Sequence, residues 1–293
     1  MKVVSGENIP TAASWYFAEG SAGETVLFAP VSRRWLSFLL TFSLIFPVGG
    51  CAKRWDALST EEKALLHRIL THWERWVPEK KKEGKAPLIT FEELYAGLGP
   101  REREFLDRVR AIDPRKSFGF SSTRLEGGSP AEGIRFKLLK GQWIRRGTRK
   151  EKLDPQYLPK EVYPAYKAMM KAMKKELGKK LLVESGYRSP AYQLYTFLYY
   201  LPKHRYSLRE TAGWVALPGY SEHGAPERQA VDFINEEGVN GEDNVEEFER
   251  LPEYGWLLAH AREFGFELSY PRGGKEVTFE PWHWRYIRSK KGG

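Results

Sequence analysis

The chain is poor in several features, and each shortage excludes something. Cys51 is the only cysteine among 293 residues, so no disulfide can form within the chain. There is no run of five or six unbroken Lys or Arg and no recognisable nucleic-acid-binding motif, so a nucleic-acid partner is not expected. No HExxH stretch occurs, which excludes the helical zinc motif of thermolysin-type peptidases. No internal repeat is visible, and after Met1 the next methionine is Met169.

What is present suffices for a folded protein. A hydrophobic content of 41% can build a core, and the length suits one sizeable domain plus a smaller one. The 47 Lys and Arg against 38 Asp and Glu give a net charge of +9. Such a balance suits an anionic partner, here a polyanionic cell wall or a membrane surface rather than nucleic acid.

Residues 35–48 form an unbroken apolar and small-hydroxyl run of 14 residues behind the basic pair Arg33 and Arg34. A spanning helix needs about 20 residues, whereas the apolar region of a secretory signal has this length and these flanks. The segment Val48-Gly49-Gly50-Cys51 that follows resembles a bacterial lipobox, in which the cysteine is lipidated and becomes the mature N-terminus. Residues 1–50 are therefore expected to be a lipoprotein-type signal region, and Cys51 a lipid anchor holding the protein at the cell envelope, facing the periplasm or wall. A buried core helix is the competing reading of the run. Some 30 residues before the basic pair are many for a signal, so translation is expected to start at a non-ATG codon. A start at Val31 would leave a signal of 20 residues ending at Gly50.

Beyond Cys51, residues 51–114 read as a small helical unit. Ser59 with Glu62 and Thr90 with Glu93 have capping-box spacing, and Leu65, Leu66, Ile69, Leu70 and Trp73 recur at helical intervals. Gly99-Pro100 interrupts the second helix, and the pattern resumes with Phe105, Leu106, Val109 and Ile112 until Pro114. Residues 115–150 are expected to be a linker with one or two strands around 134–139. The remainder, 151–293, reads as one domain. A helix carrying Val162, Tyr166, Met169, Met170, Met173 and Leu177 stops at Gly178, with the methionines expected in the core. Strands are expected at 181–183, 230–233, 266–270 and 276–279, and helices near 191–201 and 255–264. Without a regular βαβ rhythm, the fold class is α+β.

Of six histidines, only His223 and His283 sit in loops or strand ends beside carboxylates and small residues. His67 and His72 lie five apart on a helix, which does not put both on one face. His260 falls inside a helix and His204 in a basic loop. A catalytic zinc site needs three protein ligands from His and Asp or Glu and an open position, and His223, Asp232 and His283 can supply that set.

Five segments occur in a telling order: Ser185-Gly186-Tyr187-Arg188-Ser189 with Gln193, then Pro218-Gly219-Tyr220-Ser221-Glu222-His223, Ala230-Val231-Asp232, Tyr254-Gly255-Trp256, and Glu280-Pro281-Trp282-His283-Trp284. They resemble the VanY-type D-alanyl-D-alanine carboxypeptidases over roughly residues 155–288. The wider group includes D,D-dipeptidases and L,D-carboxypeptidases. The resemblance implies a small antiparallel sheet flanked by helices holding zinc. It implies His223, Asp232 and His283 as the zinc ligands, Glu280 as general base and acid, and Arg188 as the group that stabilises the developing oxyanion. It also places Gln193, Ser221 and Trp282 in the substrate pocket and makes peptidoglycan stem peptides the substrates. A carboxylate three residues before a ligand can take and return a proton, and a guanidinium stays charged at any working pH.

One departure stands out. Eight residues, Gly224 to Val231, separate His223 from Asp232, two more than the family usually has. The extra residues are expected to bulge as a loop, with Glu227 the alternative third ligand if that loop folds over the metal. The expected activity is release of a terminal D-alanine, with L,D-carboxypeptidase, D,D-dipeptidase or endopeptidase action open to the same centre. A non-catalytic, zinc-containing wall-binding lipoprotein is the reading from another class, and Glu280 and Arg188 argue against it. A phage-type lytic endopeptidase fits poorly with a lipid anchor.

Overall fold

Two capping boxes open the helical part, as their spacing expects. The computed structural model describes residues 57–120, 133–241, 244–273 and 278–287. The signal region, Cys51 and the proposed start at Val31 lie outside these described residues. In α1 (Thr60–Glu74), Glu62 N donates to Ser59 Oγ and Ser59 N donates to the Glu62 carboxylate. Thr90 and Glu93 repeat the exchange at α3 (Phe91–Tyr95), after α2 (Val77–Lys82). Pro100 begins α4 (Pro100–Arg110). The stretch expected as linker from residue 115 starts instead with a helical turn, α5 (Pro114–Phe118), because the Asp113 carboxylate accepts from Arg115 N. Proline at the first helical position starts a helix as readily as a later one stops it.

Four short strands follow. β1 (Phe136–Leu139) pairs with β4 (Gln156–Pro159), and β2 (Trp143–Arg146) with β3 (Arg149–Lys152), all antiparallel. Helix α6 (Tyr163–Leu177) buries Tyr166, Met169, Met170 and Met173 and ends at Gly178, whose φ of 68° suits a left-handed cap.

The central sheet runs in the order β5 (Leu181–Ser185), β6 (Ala230–Asn235), β8 (His283–Tyr286), β7 (Phe266–Leu268), antiparallel throughout. Side chains alternate between its faces. Val183, Val231, Phe233 and Trp284 share one core with Met169 and Met173 of α6 and with Leu257 of the helix Pro252–His260. Asp232 and His283 take the opposite face. The strand expected at 276–279 lies partly outside the described residues, and Thr278 and Phe279 are in no strand. Thr278 N donates to Gly213 O instead.

A second core joins the helical part to the sheet domain through α7 (Pro190–Tyr200). Leu66, Ile69, Trp73, Leu94 and Leu106 pack in one cluster with Leu194, Phe197 and Leu198 of α7. Ser189 anchors this junction. Its Oγ caps α7 by accepting from Tyr192 N and donates to Ile89 O, while its N donates to Pro87 O. Residues 57–118 thereby brace the helix whose first turn follows Arg188. Ser189→Ala is expected to lose the cap and orphan the buried Ile89 carbonyl. Together these changes lower stability by about 1–3 kcal/mol in urea titrations, and an unchanged midpoint would remove Ser189 from this role.

Candidate metal centre and active site

The register of the sheet builds the centre. Asp232 of β6 and His283 of β8 are direct cross-strand partners, so their side chains emerge beside one another on the same face. His283 Nδ1 stands 2.8 Å from Asp232 Oδ1. His223 arrives from a short 3-10 turn, Glu222–Gly224, that Ser221 caps with its hydroxyl. A second such turn, Pro226–Arg228, absorbs the extra residues before β6. Buried Gln229 closes the segment by donating to His223 O and Ala230 O. Glu227 is exposed on that turn, and Asp232 is the carboxylate that joins the two histidines, with ligand atoms of all three within 4.8 Å of one another.

Electrostatics tests whether a metal fits. His223 Nδ1 lies 2.7 Å from Gly186 O. A carbonyl only accepts, so Nδ1 carries the proton and Nε2 keeps a lone pair. Burial, assisted by the nearby Arg188 guanidinium, pushes this histidine down to about 4 and keeps it neutral. Its Nε2 is buried and makes no hydrogen bond, yet faces Asp232 Oδ2 at 3.0 Å. Two electron-rich atoms opposed at that distance are reconciled by a shared cation, and a His-Asp-His set suits zinc. At His283, burial opposes the charge, but Asp232, Glu222 and Glu280 outweigh it and raise the imidazole to about 10. Burial likewise opposes the Asp232 carboxylate, and the two histidines still hold it well below the usual range.

The other expected residues surround this group. A turn closed by His283 N donating to Glu280 O brings the buried Glu280 carboxylate to 3.7 Å from His283 Nδ1. Arg188 donates through Nη1 to Gln193 Oε1 and through Nη2 to Asp232 Oδ2, both at 3.2 Å. Gln193 is fixed from its other end by donating to Ala216 O. All of these, with Ser221 and Trp282, line one cleft of about 620 Å³. Trp282 lies flat against Gly241, where an added Cβ would come within 1.8 Å of its ring.

Two residues on the cleft wall were not singled out in the sequence. Glu222 accepts from His283 Nε2 at 3.3 Å and from Arg285 at 2.8 Å. Burial opposes its charge, but His283, Ser269 and Arg285 bring it down to about 2. Its place beside His223 in the motif was the available signal. Tyr270 packs on the His283 ring, centroids 4.7 Å apart, and nothing in its sequence surroundings marked it.

Comparison with known proteins covers the segment that carries this geometry. The family described as VanY: D-alanyl-D-alanine carboxypeptidase matches residues 155–289. That segment, a little under half of the chain, is similar to the VanY family. It contains the whole His-Asp-His group, Glu280 and Arg188. The protein YodJ of Bacillus subtilis is 35% identical over 146 residues, covering 48% of this chain and 50% of that protein. A D-alanyl-D-alanine carboxypeptidase of Enterococcus faecalis is 40% identical over 81 residues, 27% of this chain and 26% of the relative. The bifunctional D-Ala-D-Ala dipeptidase and D-Ala-D-Ala carboxypeptidase VanXYC of Enterococcus gallinarum is 29% identical over 134 residues, 45% of this chain and 67% of the relative. The chain thus spans half the length of YodJ and about a quarter of the Enterococcus faecalis enzyme.

Zinc titration of the full chain carries two expectations. A metal at Nδ1 of His283 displaces the proton held there, so binding at pH 7 releases about one proton and tightens as pH rises towards about 10. Calorimetry in buffers of different ionisation enthalpy reads this directly, and no release would exclude Nδ1 as the ligand atom. Glu222→Gln is expected to weaken zinc roughly 10–100-fold, the effect of losing a carboxylate behind a ligating histidine. Unaltered affinity would contradict that.

Proposed function

We propose that the chain is a zinc-dependent carboxypeptidase that hydrolyses the bond before the C-terminal D-alanine of peptidoglycan stem peptides. The observation that carries this reading is the convergence of His223, Asp232 and His283 beside a buried Glu280 and the Arg188 fork in one cleft. When bound, zinc supplies Lewis acidity, and a site of three protein ligands leaves a position open for it to act.

The chain's own groups account for the rest. Water adds its oxygen to the carbonyl carbon, the C–N bond breaks, and the proton that water loses ends on the departing amine. Glu280 is placed to carry that proton from one to the other. Arg188 lines the cleft, where its side chain is 15% exposed, and its two hydrogen bonds leave other guanidinium donors free. A charged donor with spare capacity suits negative charge growing on a carbonyl oxygen. Gln193 fixes the plane of that guanidinium, and Trp282 gives the substrate an apolar wall. The D,D preference draws on the relatives, two of which carry D-alanyl-D-alanine carboxypeptidase activity in their names.

The envelope location is part of the proposal and rests on the sequence around Cys51. Cys51→Ala is expected to move the protein from the membrane fraction to the soluble one, and unchanged fractionation would remove the lipid anchor.

The central test is digestion of purified muropeptides with the zinc-loaded protein, followed by mass analysis. Release of free D-alanine is expected, and Glu280→Gln should slow it about 10²–10⁴-fold while zinc content stays the same. If the zinc-loaded protein cuts no muropeptide, the non-catalytic wall-binding reading takes its place.

A further inference from the structure

The cleft does not end at the metal group. It continues along α7 to Thr196, Tyr200, Lys203, His204 and Trp214, and Phe120, just past α5, also lines it. Phe120 lies outside the segment that matches the VanY family, residues 155–289. The cleft is therefore partly lined by a residue outside the segment the family matches.

Its construction is specific. Lys203 and His204 sit on a 3-10 turn, Leu201–His204, followed by Arg205 and Tyr206 at φ of 55° and 62°. Two successive non-glycine residues in the left-handed region are costly and persist only where their surroundings hold them. The helical part does so here: Leu58 N donates to Tyr206 O at 3.0 Å, and Lys63 Nζ lies 4.9 Å from the centroid of the Tyr206 ring. Trp214 is 46% exposed, and its ring stacks on His204 at 6.1 Å and 20°. The result is a flat aromatic surface open to the cleft.

The charges on the wall point to the ligand. Arg188 is paired with Asp232, Arg228 with Glu222, and Arg285 with Glu222 and Glu267. Lys203 is the cleft's remaining Lys or Arg, and among the described residues it forms no ion pair. Its Nζ is held 4.3 Å over the Tyr200 ring. Lys203 is exposed, so a ligand carboxylate can reach its ammonium without displacing a partner among the described residues.

We propose that this end of the cleft is a subsite for an acidic peptide, in which Lys203 takes a free carboxylate upstream of the scissile bond while Trp214 and His204 flank the peptide backbone. The inference rests on the carboxypeptidase reading and extends it from the bond cut to the part of the substrate that is gripped. It makes the helical layer a determinant of specificity, because that layer supports the turn carrying Lys203.

The test uses the full chain, zinc-loaded and carrying Glu280→Gln to prevent turnover. The probes are L-Ala-γ-D-Glu-L-Lys-D-Ala-D-Ala and the same pentapeptide with its free glutamyl carboxylate amidated. Calorimetry should show amidation weakening binding roughly three- to tenfold, as expected for a partly exposed charge-assisted hydrogen bond. With Lys203→Gln added, the two probes should bind alike, and Lys203→Arg should restore a difference. Trp214→Ala should weaken both probes equally. If amidation makes no difference, or makes the same difference without Lys203, the subsite is wrong. Turnover by the unsubstituted enzyme separates this from the activity itself: D-alanine release without discrimination sinks the subsite alone, and discrimination without release sinks the carboxypeptidase reading alone. If neither probe binds and neither is cut, both fall.

Discussion

Asp232 stands between two imidazoles on a strand whose neighbours lie on both sides, and the rest of the centre is arranged around that contact. Because it pairs across the sheet with Ser185 on one side and His283 on the other, its position follows from backbone register. A slip of one residue in either pairing would turn Asp232 or His283 into the core that holds Val231, Phe233 and Trp284. The hydrophobic face of the sheet and the polar centre therefore enforce one another. The apolar residues make register expensive to change, and register keeps the ligand atoms together.

That coupling explains why the centre was readable in the sequence. The residues that converge are held by short local devices with plain signatures: a serine cap before His223, a strand alternating around Asp232, and a Glu-Pro-Trp-His turn into β8. The capping boxes at Ser59 and Thr90 and the methionine face of α6 were legible for the same reason, since each depends on spacing within a few residues. The choice between Asp232 and Glu227 could be framed in the sequence, and the fold brings Asp232 beside the two histidines. The inserted residues spend their length in a 3-10 turn on the surface, which keeps Glu227 exposed and leaves β6 in register.

What could not be read depended on contacts distant in sequence. Glu222 becomes a partner of His283 only because β8 returns beside the turn that carries it. The short pairs β2–β3 and β1–β4 carry no strong alternation, and β2 and β3 are mostly exposed. The part played by residues 57–118 was equally invisible. Their apolar face announces that something covers it, but not that α7 is the cover or that Leu58, by donating to Tyr206 O, holds the turn beyond α7 in a strained conformation.

The orientation of His223 has a particular genetic consequence. Its ring is aimed by a main-chain carbonyl, that of Gly186, so no codon encodes the partner. Replacing side chains one at a time would never delete this acceptor. The sensitive point is the glycine itself, where a Cβ would press to 2.2 Å from Tyr157 O. A substitution there would shift the carbonyl and with it the imidazole. In a mutational map the position would behave like a ligand-bearing residue while offering no ligand atom.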